Sequence, residues 1–442
     1  MAPTRAVVAG LGKTGHSVIR HLLARGWQLT ATDTRAAPPG IAELRALAPG
    51  LRIALGGLDV GLLADVDYVV ASPGLPQSDP FFIAARSLRV PVIGDIELFA
   101  RSGARSIAGI TGTNGKSTVT SLVALMGQRA GLATRAGGNL APPALELLEG
   151  EPADLYVLEL SSYQLETTFS LQLAVATVLN VTPDHLDRYA DEASYAAAKA
   201  RVFERCETAV VNADDAQVAA MVRPGRRAKS FSLRADSGAD YVLRVEDGRE
   251  WLCADGQKLL AMDELHIVGH HNAANALAAL AMGDALGLAR GPMLDALREF
   301  PGLPHRAAWV ADVRGVRYVN DSKGTNVGAT LAAVAGFAGP LLLIVGGDGK
   351  NQDFTPLATA FRGKVRHALL IGRDAPAIAA ALAGTCELTH CESLEAAVLA
   401  AASAAQPGDT VLLSPACASL DMFRDYGHRG DVFAAAVRRL AA

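Results

Sequence analysis

Short runs of β-branched and aliphatic residues, each followed by a polar, glycine-bearing turn and then by apolar positions at helical spacing, recur along this chain. The pattern predicts parallel sheets joined by crossover helices, and it restarts three times. The first unit opens on a strand over Arg5–Ala9 and turns through Gly10-Leu11-Gly12-Lys13-Thr14-Gly15. It then enters a helix with Val18, Ile19, Leu22 and Leu23 on one face, closing at Gly26 as C-cap. A second strand ends at Asp33. The second unit runs from a strand over Arg105–Ile110 through Thr111–Thr118 into a helix carrying Val119, Leu122, Val123 and Met126. Strands over Leu155–Leu160 and Val175–Val181 and a helix around Tyr195–Arg201 follow. The third unit comes after Phe300-Pro301-Gly302-Leu303-Pro304, which reads as a linker, and holds strands over Leu341–Val345, Ala368–Gly372 and Thr410–Ser414. The fold class expected is α/β in three domains, 1–94, 95–300 and 301–442.

Composition narrows the function. Over 442 residues, 41 Lys+Arg stand against 45 Asp+Glu, a net charge of −4. That balance excludes a protein built to neutralise a nucleic-acid backbone. Half the residues are hydrophobic and 19% charged, which argues against extensive disorder. The apolar run near the N-terminus, Ala6-Val7-Val8-Ala9, is too short for a signal-peptide core, and Leu341–Val345 is far short of a membrane helix. Five cysteines, Cys206, Cys253, Cys386, Cys391 and Cys417, read as reduced thiols of a cytoplasmic protein. Cys386, His390 and Cys391 lack a second ligand pair, so packing explains them better than zinc. A soluble multidomain enzyme remains, with no nucleic acid or membrane as partner.

The first glycine-rich turn, with Asp33 about 20 positions on, matches a dinucleotide-fold fingerprint. Taken alone it suggests a nicotinamide cofactor, but the same geometry holds any diphosphate. The second turn is sharper. Gly115-Lys116-Ser117 at a strand-to-helix junction is a phosphate cradle: amides and the helix dipole hold phosphate oxygens, the lysine adds charge, and the hydroxyl can bind Mg²⁺. Ile110 stands where a full Walker A would need glycine, so the loop is a shorter variant for ATP or GTP. Glu159, a carboxylate at a neighbouring strand end, is expensive to bury unless it faces a cation, and so is a candidate Mg²⁺ ligand. By spacing alone His185 is equally a ligand or a cap, and Lys199 is a solvated helix lysine. In the third unit, Asn320–Asn326, Gly346–Lys350 and Pro415–Asp421 all follow strands, where open α/β sheets bind ligands.

Together these residues resemble the Mur ligase superfamily, and within it the members that add D-glutamate. The resemblance spans nearly the whole chain. It rests on Gly10–Gly12, Asp33-Thr34-Arg35, Ser72-Pro73-Gly74, Gly94–Phe99, Thr111–Thr118, Gly137-Gly138-Asn139, Leu158–Ser162, Asn180–Arg188, Gly302–Arg306, Asn320–Asn326, Gly346–Lys350 and Leu413–Asp421. It implies a Rossmann-like first domain that holds the UDP-sugar through Lys13, Thr14, Asp33, Thr34, Arg35 and Gly74. It implies a central P-loop-type ATPase domain in which Gly112, Thr113, Asn114, Gly115, Lys116, Ser117 and Thr118 hold ATP, with Asn272 and Asn275 toward the adenine. A Rossmann-like third domain would contribute Arg306, Asp321 and Lys323 to the nucleotide and Thr325, Lys350, Ser419 and Tyr426 to D-glutamate. Lys116, His185, Lys199 and Asn139 would be catalytic. Ser117, Glu159, His185 and Lys199, the last as a carbamate, would hold two Mg²⁺ ions. The implied reaction is ligation of D-glutamate to UDP-N-acetylmuramoyl-L-alanine through an acyl phosphate, by a monomer. Three positions depart from the family pattern: Ala141 for glycine, Ala308 for an acidic residue, and Tyr426 where phenylalanine is commoner. The alternatives are a sister Mur-type or folylpolyglutamate-type ligase, a nicotinamide-dependent dehydrogenase, and a non-catalytic nucleotide-binding protein.

Overall fold

The computed structural model describes residues 3–184, 188–267, 269–337 and 339–441. Each restart of the sequence pattern corresponds to one sheet. The first sheet has five parallel strands in the order Arg52–Leu55, Gln28–Asp33, Arg5–Ala9, Tyr68–Ala71, Val92–Ile93. Its first helix, Lys13–Leu23, buries Val18, Ile19 and Leu22. Leu23, expected on that face, is 36% exposed. The helix also stops short of Gly26: Ala24 is its C-cap, and Gly26 supplies the left-handed turn after it at φ +75°.

The second sheet has nine strands. The strand Ile107–Thr111 sits between Leu155–Glu159 and Leu173–Val178, so the chain reverses its order across the sheet at the strand that feeds the phosphate-type loop. Val119, Leu122, Val123 and Met126 of the helix Lys116–Arg129 are all fully buried against it. At the far edge the parallel expectation fails. Tyr241–Glu246, Arg249–Ala254 and Gln257–Ala261 form antiparallel hairpins, because Asp247-Gly248 and Asp255-Gly256 take the left-handed turns that reverse a strand directly.

The third sheet runs Ala308–Val313, Val316–Asn320, Thr410–Leu413, Leu341–Gly346, Val365–Ile371, Glu387–His390. Its first pair is antiparallel and the rest parallel. Leu341–Val345 is completely buried, as its unbroken apolar run requires. The last strand in the chain inserts between Val316–Asn320 and Leu341–Gly346, which brings the turns after all three strands to one end of the sheet. All five thiols are free. Among the described residues no group of three His, Cys, Asp or Glu side chains could hold a metal ion, and no helix is long and apolar enough to cross a membrane.

Candidate active site

The loop after Ile107–Thr111 is held from behind. Asn180 accepts from the Asn114 amide (2.8 Å) and donates to the Asn114 carbonyl (3.1 Å). Thr113 N donates to Asn180 O. Gly115 takes φ +85°, and a Cβ there would lie 2.4 Å from Asn275 Oδ1, so the loop needs glycine to approach the helix His270–Ala285. The Lys116 ammonium folds back over the loop onto the carbonyls of Gly112 (2.9 Å) and Thr113 (2.8 Å). Burial, more than the neighbouring Arg306, lowers its pKa.

Lys199 meets the same Gly112 carbonyl at 3.0 Å, with its Nζ 4.2 Å from the Tyr195 ring centroid. This corrects the reading of Lys199 as a solvated lysine. The helix Glu192–Ala200 presents Tyr195, Ala198 and Lys199 inward, and Lys199 is only 2% exposed. Burial, seconded by the charge of Lys116, holds its amine well below the usual lysine range. Glu159 ends its strand 3% exposed. Its Oε1 accepts from Asn139 Nδ2 at 2.6 Å, and its buried Oε2 has no hydrogen-bond partner among the described residues. A buried carboxylate oxygen left without a hydrogen-bond partner is the kind of donor a bound cation would use. His185, expected beside it, lies outside the described residues.

From the third unit Arg306 reaches across to donate to Ser117 Oγ at 2.7 Å. Asp321, pushed up to about 6 by burial, accepts from the Ala307 amide and Ser414 Oγ and so anchors the segment around Arg306. Lys350 Nζ lies 3.7 Å from Asp184 Oδ1, and Asn326 Nδ2 donates to Asp184 Oδ2 at 3.2 Å. Sequence reasoning missed Asp184 and Asn326 as site residues. Glu159 is the last residue of its strand, whereas Asp184 lies in the loop beyond the strand Leu173–Val178, so the argument applied to Glu159 does not reach it.

Two adjoining pockets result. One takes in Lys116, Asn139, Glu159, Lys199, Thr325 and Lys350. The other runs past Thr118 to Asn272 and Asn275, which bond to each other at 3.1 Å. Asn114, Gly115, Arg306 and Lys323 line both. Ser419 is buried and lines neither. Tyr426 stands beside Lys323, whose Nζ is 3.9 Å from its ring centroid. Lys13, Thr14, Asp33, Thr34, Arg35 and Gly74 form a separate group at the strand ends of the first sheet. Burial pushes the Asp33 carboxyl up, but the Arg35 side chain and the amides of Leu11 and Arg35 outweigh it and hold it at about 2. Asp33 thus fixes the glycine-rich turn to the next strand, with both oxygens engaged. The floor of this group also meets the central unit, where Arg188 donates to the carbonyls of Gly74 and Leu75.

Three family models match in order: "Mur ligase MurD-like, N-terminal domain" over residues 4–94, "Mur ligase middle domain" over 110–283, and "Mur ligase, glutamate ligase domain" over 305–417. A Nitrosococcus oceani protein named UDP-N-acetylmuramoylalanine--D-glutamate ligase is 49% identical over 98% of this chain and 96% of its own length. One of the same name from Methylococcus capsulatus is 50% identical over 99% and 95%. Among solved structures, the UDP-N-acetylmuramate-alanine ligase of Thermotoga maritima matches the fold with a TM-score of 0.63 at 20% identity, covering 98% of this chain and 99% of that one. The nicotinamide-dehydrogenase reading of the first turn is therefore set aside.

Proposed function

The chain belongs to the Mur ligase family of ATP-dependent amide-bond-forming ligases, and from that premise we propose that it joins D-glutamate to UDP-N-acetylmuramoyl-L-alanine in peptidoglycan precursor synthesis. The observation that carries the reading is full-length identity near one half with relatives of that name. At the site, cations from the central and third units converge on one pocket.

The chemistry is a two-step condensation. The alanine carboxylate attacks the γ-phosphoryl of ATP, forming a C(=O)–O–P bond as the bond to ADP breaks. The neutral amine of D-glutamate then attacks the acyl carbon, phosphate departs, and the amine proton is lost to solvent or phosphate. Little covalent work falls to the protein. Lys116, Arg306 and Lys323 spread the charge of the transferring phosphoryl group and align it with the carboxylate. Thr325, Lys350, Ser419 and Tyr426 form the D-glutamate end, and Lys13, Thr14, Thr34, Arg35 and Gly74 the UDP end. Asn272 and Asn275 take the adenine side. Glu159, Ser117, His185 and a carbamylated Lys199 would hold two Mg²⁺ ions, which supply positive charge to the phosphate oxygens when bound. Carbamylation requires an uncharged amine, the form that the buried surroundings of Lys199 favour. We read the enzyme as a cytoplasmic monomer.

The test is an acceptor series. With UDP-N-acetylmuramoyl-L-alanine and ATP, D-glutamate should give ADP, phosphate and amide in equal amounts, whereas L-glutamate, L-alanine and meso-diaminopimelate should give at most a few per cent of that rate. Product formation with another acceptor, or ADP release without amide, would overturn the proposal.

A further inference from the structure

Lys323 is unusual among the cations of the site. Among the described residues its ammonium has no hydrogen-bond acceptor and no carboxylate within ion-pair distance; what it has is the face of Tyr426, with Nζ 3.9 Å from the ring centroid. Burial disfavours its charge most, and among the described residues Arg306, Lys116 and Lys350 repel it while Glu159 draws it in. A flexible lysine in such a field would swing toward solvent unless something held it. The same two residues are tied through the main chain. Ser322 Oγ donates to the Tyr426 carbonyl at 2.8 Å. One turn further along the helix Tyr426–Ala441, the fully buried Arg429 donates to Ser322 O (2.8 Å) and Ser322 Oγ (3.0 Å) and to the carbonyls of Cys417 and Ala418.

We propose that Tyr426 is a positioning residue for Lys323: its ring holds the ammonium at the junction of the two pockets, where the terminal phosphates of ATP must pass, and so links the D-glutamate end of the site to the nucleotide. The assignment rests on the ligase reading only for what the nucleotide is used for. The hold itself is a cation–π contact that any aromatic ring at 426 can make.

Replacing Tyr426 by Phe or Trp keeps a π face, and replacing it by Leu keeps apolar volume without one. Tyr426→Phe and Tyr426→Trp should bind a non-hydrolysable ATP analogue within about twofold of the parent, and Tyr426→Leu should bind it about three- to tenfold more weakly, the range a partly desolvated cation–π contact gives. ADP, lacking the terminal phosphate, should lose less. Steady-state kinetics should show the loss in KM for ATP. Equal analogue affinity for the Phe and Leu variants would overturn the proposal, as would a Leu variant in which only the KM for D-glutamate rises. Circular dichroism and the unchanged affinity of the Leu variant for UDP-N-acetylmuramoyl-L-alanine control for folding. Because analogue binding needs no ligation, failure of the acceptor series would leave this measurement standing, and the two outcomes can be told apart.

Discussion

At the scale of single residues, Lys199 shows how surroundings decide chemistry. An ordinary lysine is protonated at neutral pH and cannot react with carbon dioxide, whereas this one is desolvated, faces the charge of Lys116 and lies against Tyr195. Those surroundings lower the amine's pKa and so favour its neutral form, the one that reacts with carbon dioxide. If a carbamate completes the site, enzyme stripped of dissolved carbon dioxide at mildly acidic pH should lose at least about tenfold in kcat, within the range for a lost charged group near a phosphoryl centre. Added bicarbonate should restore it. Lys199→Ala should be equally impaired and unresponsive to bicarbonate. A parent enzyme indifferent to bicarbonate would remove the carbamate from the mechanism. The sequence carried the identity of Lys199 but not its burial, since nothing local distinguishes it from a surface lysine on a nine-residue helix; packing of that helix against the rest of the central unit decides it. Glu159 was legible because a carboxylate at the end of an apolar strand has few alternatives to facing a cation. Asp184 was not legible in this way, because it lies in the loop beyond the strand Leu173–Val178 and is marked by its contacts with Asn326 and Lys350 from the third unit.

At the scale of elements, strand ends and glycine-rich turns were well marked, and helix limits less so. The first helix ends before Gly26, and the far edge of the central sheet turned antiparallel at two Asp-Gly turns whose meaning the parallel pattern obscured. The motif Gly94–Phe99, which carries no chemistry in the proposed reaction, proves to be structural: the Gly94 amide donates to the Thr167 carbonyl, and the helix that follows packs within the central unit. Asp95 opens the helix Asp95–Ala100 at full burial and accepts from Gln164 Nε2 of the helix Ser162–Glu166 at 3.0 Å. Its other oxygen is without a partner among the described residues. Burial pushes its pKa up to about 6. The folded protein therefore binds a proton that the unfolded chain, titrating near 3.9, has already released. Stability from this group is present at low pH, falls as pH rises between about 4 and 6, and stays lower above. The cost at neutral pH is on the order of 3 kcal/mol. Asp95→Asn keeps an oxygen to accept from Gln164 and removes the buried charge. The variant should be more stable than the parent toward urea at pH 7.5, with the gap narrowing at pH 5. A gap that is constant with pH, or of opposite sign, would show that an uncompensated buried charge at Asp95 is not what lowers stability at neutral pH.

At the scale of the whole molecule, the net charge of −4 and the nature of the site point in opposite directions. Every proposed substrate is an anion, while the surface as a whole repels anions weakly. Attraction must be local, and on the proposed reading Lys116, Arg306, Lys323 and Lys350 would supply it where the central and third units meet. The contacts Arg306–Ser117, Asn326–Asp184 and Lys350–Asp184 hold the two units together, but Lys116 lies in the same cleft as Arg306 and Lys323, and without ligand the mutual repulsion of these cations works against that junction. On the proposed reading a bound triphosphate would remove the repulsion and bridge the units. A non-hydrolysable ATP analogue at about 100 times its Kd should add roughly 2.7 kcal/mol to the folded state and raise the melting temperature by a few degrees. Lys116→Met should abolish most of that rise while leaving the rise caused by UDP-N-acetylmuramoyl-L-alanine, whose UDP end is proposed to rest on a separate group in the first unit. Salt should act oppositely on the two forms. Between about 50 and 500 mM KCl, a range in which the Debye length falls from above 10 Å to a few ångströms, the ligand-free protein should gain stability as the cations are screened from one another, while the KM for ATP should climb several-fold. If the ligand-free melting temperature falls with salt while the KM stays constant, the cation cluster is neither a liability of the empty site nor the source of nucleotide affinity.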